Sequence, residues 1–258
     1  MTYDVTFHPI KEEDIKYFVT EPIRLKDIAA AKRAIAVRLN QLSETSKGRQ
    51  HLQSTFYPEL FKFYDEAVEK KYIGQVGFWT AVMAGYLYPY WFGISTTLKW
   101  LSEKIPELKE YVSSIANISP DILGVIGDKN PSILRENWSA GGYIPAKKIH
   151  SFRKILTDAV KRGILETHDF EAYAGLFFAL EFAEANETGL LEASEVLNRW
   201  EGFYTEPSNL RTDIVKKDFP YVLLSWPADT KRLQDVTDEY LKKGPTEYLK
   251  YLKDRFIS

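Results

Sequence analysis

The chain of 258 residues contains no cysteine. This absence excludes disulfide bonds, thiolate metal sites and cysteine nucleophiles. A fold without disulfides does not depend on an oxidising compartment. The N-terminal segment MTYDVTFHPIKEEDIKYF also carries acidic residues where a signal peptide has a basic and then an apolar region. We therefore predict a cytoplasmic protein.

The chain also lacks a strong charge of either sign. Its 34 basic and 36 acidic residues give a formal net charge of -2, and no run of lysine and arginine is long enough to act as a basic tail. Nucleic acids and anionic membranes attract proteins through concentrated positive charge. We therefore predict no nucleic-acid partner and no membrane partner. Another protein, recognised by shape, is the predicted kind of partner, and the composition leaves the oligomeric state open.

Motifs of catalysis and of cofactor binding are missing as well. The sequence has no G-x-S-x-G elbow, and its four histidines do not form H-E-x-x-H. The segment GVIGDKNPS has two glycines, a lysine and a serine, but it lacks the spacing of a phosphate-binding loop. We predict no catalytic residue and no cofactor from these patterns.

One long segment has no charged residue, between Lys71 and Lys99. Its length would be sufficient to span a bilayer. However, Pro89 interrupts it, and tyrosine and tryptophan occupy its centre, whereas membrane helices place these residues at the two interfaces. We interpret the segment as two buried helices, Val76–Tyr88 and Phe92–Lys104, with a break near Pro89.

Apolar residues at helical spacing, capping residues and brief connections recur along the rest of the chain. This pattern predicts a mainly α fold, a single compact multi-helix domain over residues 1–258. It allows at most one or two short strands near the termini, at about 2–7 and 221–226. The terminal strands could pair with each other. A soft subdivision is predicted near residues 117–130, followed by a helix–turn–helix pair at 131–204.

The loop between two predicted helices at 184–195 has the spacing of a calcium loop. With Gly189 at the sixth place, oxygen ligands would come from positions 1, 3, 5, 9 and 12, namely Glu184, Asn186, Thr188, Glu192 and Glu195. This loop resembles an EF-hand, and the loop around Gly142 would make the segment 131–204 a degenerate EF-hand pair. The resemblance implies weak calcium binding at 184–195. The upstream loop ends in Lys148, which would repel calcium, so a helix–glycine turn–helix without bound metal is the favoured interpretation.

Aromatic residues are abundant, at 14% of the chain. A dense group, Tyr86, Tyr88, Tyr90 and Trp91, surrounds the predicted break and is the candidate binding site, although such residues also suit a helical core. Two functions remain open. The favoured one is a non-enzymatic cytoplasmic binding protein, such as an inhibitor or adaptor, with a helical scaffold and an aromatic and acidic surface. The alternative is a small-molecule enzyme with an aromatic-lined pocket near residues 86–92.

Overall fold

The computed structural model describes residues 4–22, 28–42, 58, 61–62, 64–65, 76–88, 90–94, 97–114, 142–166, 173–194, 223–224, 250 and 254. The strands are β1 Asp4–Ile10, β2 Tyr90–Ile94, β3 Ser113–Ser114, β4 Gly142–Ile144, β5 Gly189–Ser194 and β6 Leu223–Leu224. The α-helices are α1 Glu12–Ile15, α2 Ile28–Leu42, α3 Val76–Leu87, α4 Leu98–Lys104, α5 Ala146–Lys161 and α6 Ala174–Ala185. A π-helical turn, Lys16–Thr20, continues α1, and a 3-10 helix, Pro106–Glu110, follows α4.

Within this described part, the strands form one antiparallel sheet in the order β3-β4-β5-β1-β2-β6. The register places Phe7 of β1 between Trp91 of β2 and Glu192 of β5. The edge strands β3 and β6 have two residues each, so the sheet consists mainly of β4, β5, β1 and β2. Strand β1 is the first of these strands in the sequence, but it lies inside the sheet, between β5 and β2.

Helices cover both faces of the sheet. Helices α5 and α6 pack on the face that carries Val5, Phe7 and Leu190, and they supply much of the buried apolar cluster there. On this face the Trp91 ring lies 5.4 Å from the ring of Phe182 in α6. Helix α3 packs against β1 and β5 on the opposite face, where Gly85 lies beside Tyr90 and His8. Because both faces are covered, every residue of β1 from Val5 to Ile10 is buried.

The prediction of a mainly α, all-helical domain is wrong. Strands are present at both predicted terminal places, but they belong to a larger antiparallel sheet that draws segments from much of the chain. They also do not pair with each other, because β2 lies between β1 and β6. The fold is a mixed one, with helices packed on an antiparallel sheet.

Two apolar segments account for the error. Residues 90–94, with the sequence YWFGI, form β2, where a helix from Phe92 was predicted. Residues 189–194, with the sequence GLLEAS, form β5, where a loop between two helices was predicted. A short apolar run has no clear periodicity and fits a buried strand or a buried helix equally well. Pairing with β1 decides in favour of the strand for both segments.

Helix α3 confirms that the uncharged segment begins with a helix ending before Pro89, at Leu87. The subdivision near 117–130 lies outside the described residues. Within the described ranges, no helix is both long and apolar enough to cross a membrane.

Candidate functional site

A surface cleft lies where the chain leaves β1 and turns into α1. Lys11 is extended, with φ -80° and ψ 147°, and the helix begins at Glu12. Three acids occupy its first turn, Glu12, Glu13 and Asp14. Negative side chains at this end of a helix interact favourably with the exposed N–H groups and the helix dipole. The local sequence KEED therefore both begins the helix and makes its surface acidic.

The helix widens into the π-helical turn Lys16–Thr20. The turn directs neighbouring aromatic residues to different environments: Phe18 is buried at 2% exposure, whereas Tyr17 is 46% exposed. Their rings meet edge to face at a centroid distance of 4.8 Å. Such π-helical turns are rare, and they occur often at functional sites.

The cleft has a volume of about 570 Å³ and is lined by Glu13, Asp14, Lys16, Tyr17, Phe18 and Glu21. Three carboxylates and one ammonium group leave a formal charge of -2 on this lining. The exposed Tyr17 ring adds an apolar body with a polar hydroxyl group. This combination suits a ligand that carries positive charge beside an apolar group.

The walls of the cleft are anchored to other parts of the fold. The hydroxyl of Tyr88, just after α3, donates a hydrogen bond of 2.5 Å to Oδ2 of Asp14. The buried hydroxyl of Tyr64 donates to the carbonyl oxygen of Phe18 within the π-helical turn. Burial raises the pKa of Tyr64 above its ordinary range, so this hydroxyl remains a donor. The acidic surface is thus held in place from two separate segments.

The four aromatic residues predicted as a binding site do not share one environment. Tyr88 is half-buried at the cleft through its bond to Asp14. Tyr90 and Trp91 belong to β2 and are only 1% and 3% exposed, so both lie in the core. The side chain of Tyr86 lies outside the described residues. An enzyme pocket near 86–92 remains a prediction.

The predicted calcium ligands are also dispersed. Oε1 of Glu184 lies 2.6 Å from Nδ1 of His150, and Arg153 donates to its other oxygen, Oε2. The Asn186 amide donates to the carbonyl of Phe182 at 2.8 Å. Thr188 is buried ahead of β5, and Glu192 lies within β5 on the sheet. Glu195 is outside the described residues, and among the described ones no three metal-binding side chains cluster.

The glycines of the two predicted loops have a different role from the one expected. Gly189 opens β5, and a Cβ atom built there would lie 2.0 Å from the Tyr143 hydroxyl oxygen. Gly142 opens β4, which pairs with β5 through Tyr143 and Leu191. The residue with positive φ in the turn is Glu187, at 54°. These glycines permit close packing of the sheet and do not form calcium-loop turns.

One buried ionisable residue, His8, was not predicted. Nε2 of His8 lies 2.7 Å from the Thr6 hydroxyl oxygen, which itself donates to the carbonyl of Ala193. Because the single hydroxyl proton is used there, Nε2 of His8 must carry the proton. Nδ1 is then a bare acceptor, and it has no hydrogen-bond partner among the described residues. Burial lowers the pKa of His8 to about 3, so the ring is neutral.

Comparison of the chain with protein-family models, with curated proteins and with solved structures finds no match. The six residues that line the cleft are close together in sequence, but the cleft was missed because a local pattern does not show which of these side chains stay exposed. The acids of KEED and the aromatic pair Tyr17–Phe18 are visible as a local pattern, but the contribution of Tyr88 depends on a bond across 74 residues.

Proposed function

We propose that this protein is a non-enzymatic cytoplasmic binding protein that holds another protein through the α1 cleft. The observation that carries the proposal is the cleft of about 570 Å³ with three carboxylates around the exposed Tyr17. Tyrosine at the centre of an interface contributes strongly to affinity, and surrounding charge selects the partner and speeds association.

The chemistry of the lining indicates the partner. A segment with lysine or arginine beside an apolar side chain would pair its charge with Glu13, Asp14 or Glu21 and place its apolar group on Tyr17. The fixed Asp14 reduces the entropy lost on binding, because Tyr88 already orients that carboxylate. Inhibitors and adaptors both work through such pre-organised surfaces.

A site-specific photo-crosslinker tests this proposal. Benzoylphenylalanine replaces Tyr17 in one variant and Val37 in a control variant, and each protein is irradiated in an extract of its host. Val37 on α2 is a fair control because it is 58% exposed, more than Tyr17. We expect a discrete crosslinked protein only from position 17.

Charge reversal then identifies the basis of binding. The double variant Glu13→Lys, Glu21→Lys should weaken binding of the crosslinked partner by roughly ten-fold or more, measured by calorimetry with the purified partner. Glu187→Lys is the matched control, since Glu187 is an exposed acid outside the cleft. Equal binding by wild type and the double variant would contradict the proposal.

A further inference from the structure

A short basic turn, residues 161–164, follows helix α5 and is called the α5 corner below. Lys161 ends the helix and Arg162 is its C-cap residue, and both are exposed. The side chain of Ile164 is 40% exposed, whereas the next residue, Leu165, is buried in the core. Leu165 anchors the chain here, so the core does not require Ile164. The α5 corner therefore presents an apolar side chain to solvent beside two cations.

The backbone holds the α5 corner in one conformation. The N–H of Gly163 donates to the carbonyl oxygen of Val160, and the N–H of Ile164 donates to that of Ala159, each at 2.9 Å. These two bonds form a Schellman motif, and Gly163 has the positive φ, 71°, that this motif requires. A surface that is already fixed in this way loses little conformational entropy when it binds.

The α5 corner has the chemistry that suits the α1 cleft. The lining of the cleft carries the carboxylates of Glu13, Asp14 and Glu21 beside the exposed ring of Tyr17. Residues 161–164 carry two cations beside an exposed apolar side chain. The two surfaces are therefore complementary in charge and in apolar character.

The charges next to the α5 corner affect how strongly it binds. Asp158, one turn earlier on α5, and Glu166, two residues after the corner, are both exposed acids. They confine the excess of positive charge to the corner itself. The lining of the cleft likewise includes a charge of the other sign, the ammonium group of Lys16. Because both surfaces carry mixed charges, we expect a weak contact that salt weakens further.

The α5 corner and the α1 cleft of one molecule lie far apart. Ile10 of β1 and Ile144 of β4 pair with Gly189 and Leu190 at the start of β5, so α1 and α5 both begin at this end of the sheet. Helix α5 then runs for 16 residues, about 24 Å, which carries the corner away from this end. The π-helical turn of the cleft contacts α3, on the face of the sheet opposite to α5. The corner of one copy can therefore meet only the cleft of another copy.

We propose that the α5 corner of one copy of this chain docks in the α1 cleft of a second copy. Ile164 lies on the ring of Tyr17, and the two cations of the corner face the carboxylates of the cleft. This inference rests on the proposed function, because it takes the cleft as a protein-binding surface and names a second copy as its partner. The two surfaces differ, so the contact is head to tail and each added copy brings a new cleft and a new corner. A copy whose cleft is filled in this way cannot hold another protein.

Sedimentation equilibrium of the purified full-length chain tests this contact in the absence of any other protein. A concentration series up to about 1 mM at low salt covers the weak association expected of a small interface. The mean mass of the wild type should rise with concentration above that of the monomer. It should fall again when salt is added, since salt screens exposed charges.

Two charge-reversal variants identify the surfaces that meet. Glu13→Lys with Glu21→Lys reverses the cleft, and Lys161→Glu with Arg162→Glu reverses the corner. Each variant alone should associate at least about ten-fold more weakly than the wild type. An equimolar mixture of the two should associate again, because it contains native corners and native clefts, and this recovery also shows that both variants are folded. The matched control is Lys154→Glu, an exposed cation of α5 outside the corner, which should associate as the wild type does.

A wild type that stays monomeric throughout the series would overturn this inference alone, because photo-crosslinking from position 17 decides the proposed function separately. Association that persists after reversal of the corner would also overturn it, since another part of the second copy would then fill the cleft. Equal loss in the Lys154→Glu control would do the same. A crosslink from position 17 to this chain only would support the inference and contradict the proposed capture of another protein.

Discussion

His8 of β1 and Tyr90 of β2 stack face to face, with ring centroids 4.6 Å apart and planes inclined by 14°. Gly85 of α3 lies over the pair, and a Cβ atom there would approach Tyr90 to 3.1 Å and Nδ1 of His8 to 3.9 Å. The imidazole is therefore enclosed between a ring and a helix backbone. Among the described residues a charged imidazolium would have no acidic partner here, and burial therefore keeps His8 neutral.

The titrations of His8 and Glu192 should change the free energy of unfolding with pH in opposite directions. The folded pKa of His8, about 3, is below its ordinary 6.5, so its contribution is present above about pH 6.5 and is lost as the pH falls toward 3. The folded pKa of Glu192, about 7, is above its ordinary 4.5, so its contribution is present below about pH 4.5 and is lost as the pH rises through 7. Between pH 4.5 and 6.5 the two effects should nearly cancel in the wild type.

Replacing either residue should make the pH dependence caused by the other one measurable. In the Glu192→Gln variant, the free energy of unfolding should rise with pH between about 4.5 and 6.5, by about 1.4 kcal/mol per pH unit at most. In the His8→Gln variant it should fall over the same interval. Urea unfolding followed by tryptophan fluorescence measures both slopes. Parallel curves for the wild type and the two variants would show that neither residue titrates as described.

The bond between Tyr88 and Asp14 should contribute to stability as well as to the cleft. Tyr88→Phe removes the donor and leaves the half-buried Asp14 without this hydroxyl, so the free energy of unfolding should fall by about 1 to 2 kcal/mol. Tyr17→Phe is the control, because that side chain is 46% exposed and its loss of a hydroxyl should change stability by less than about 0.5 kcal/mol. Chemical denaturation of the three proteins checks the difference.

Local patterns in the sequence predict several elements well. The helix at Ala146–Lys161 follows a proline and has its apolar residues, Ile149, Phe152, Leu156 and Ala159, on one buried face. Helix α2 likewise follows a clear apolar spacing. In these segments the periodicity is long enough to define one face, so tertiary contacts do not need to be known.

The sheet depends on contacts that no local pattern contains. The sequence YWFGI of β2 does not by itself indicate a strand. It forms one because it pairs with β1, which lies more than 80 residues earlier in the chain. Glu192 is the only charged residue of GLLEAS, and its contacts are with Gly142 and Leu98, each from another part of the chain. The calcium-loop hypothesis likewise took Gly189 as a turn residue, whereas its neighbour Tyr143 is what requires a glycine.

The contact of Glu184 with His150 and Arg153 should have a small and pH-dependent effect. The hydrogen bonds from His150 and Arg153 lower the pKa of Glu184, so its contribution is present above its ordinary pKa and is lost as the pH falls through the folded value. Because Glu184 is 30% exposed, Glu184→Gln should cost less than about 1 kcal/mol at neutral pH. Thermal unfolding at neutral and acidic pH should show the difference shrinking in acid. If the stability difference between the wild type and Glu184→Gln is the same at both pH values, the loss of stability comes from packing and not from the charge of Glu184.

Of the two strand glycines, Gly189 should tolerate substitution by alanine less well than Gly142. In Gly189→Ala the new methyl group would lie 2.0 Å from the hydroxyl oxygen and 2.3 Å from Cζ of Tyr143, so a buried ring must move. We expect a loss of about 2 kcal/mol or more in the free energy of unfolding. Gly142→Ala should cost less, because its nearest neighbour is the end of the Leu98 side chain at 3.1 Å.

A second substitution separates this steric explanation from a backbone effect. In the background Tyr143→Leu the ring is gone, so adding Gly189→Ala should cost at least about 1 kcal/mol less than it does in the wild type. The four proteins of this cycle are compared by urea unfolding at one pH. If Gly189→Ala costs the same with and without the ring, the glycine is required by the conformation of β5 itself, and the contact with Tyr143 does not determine it.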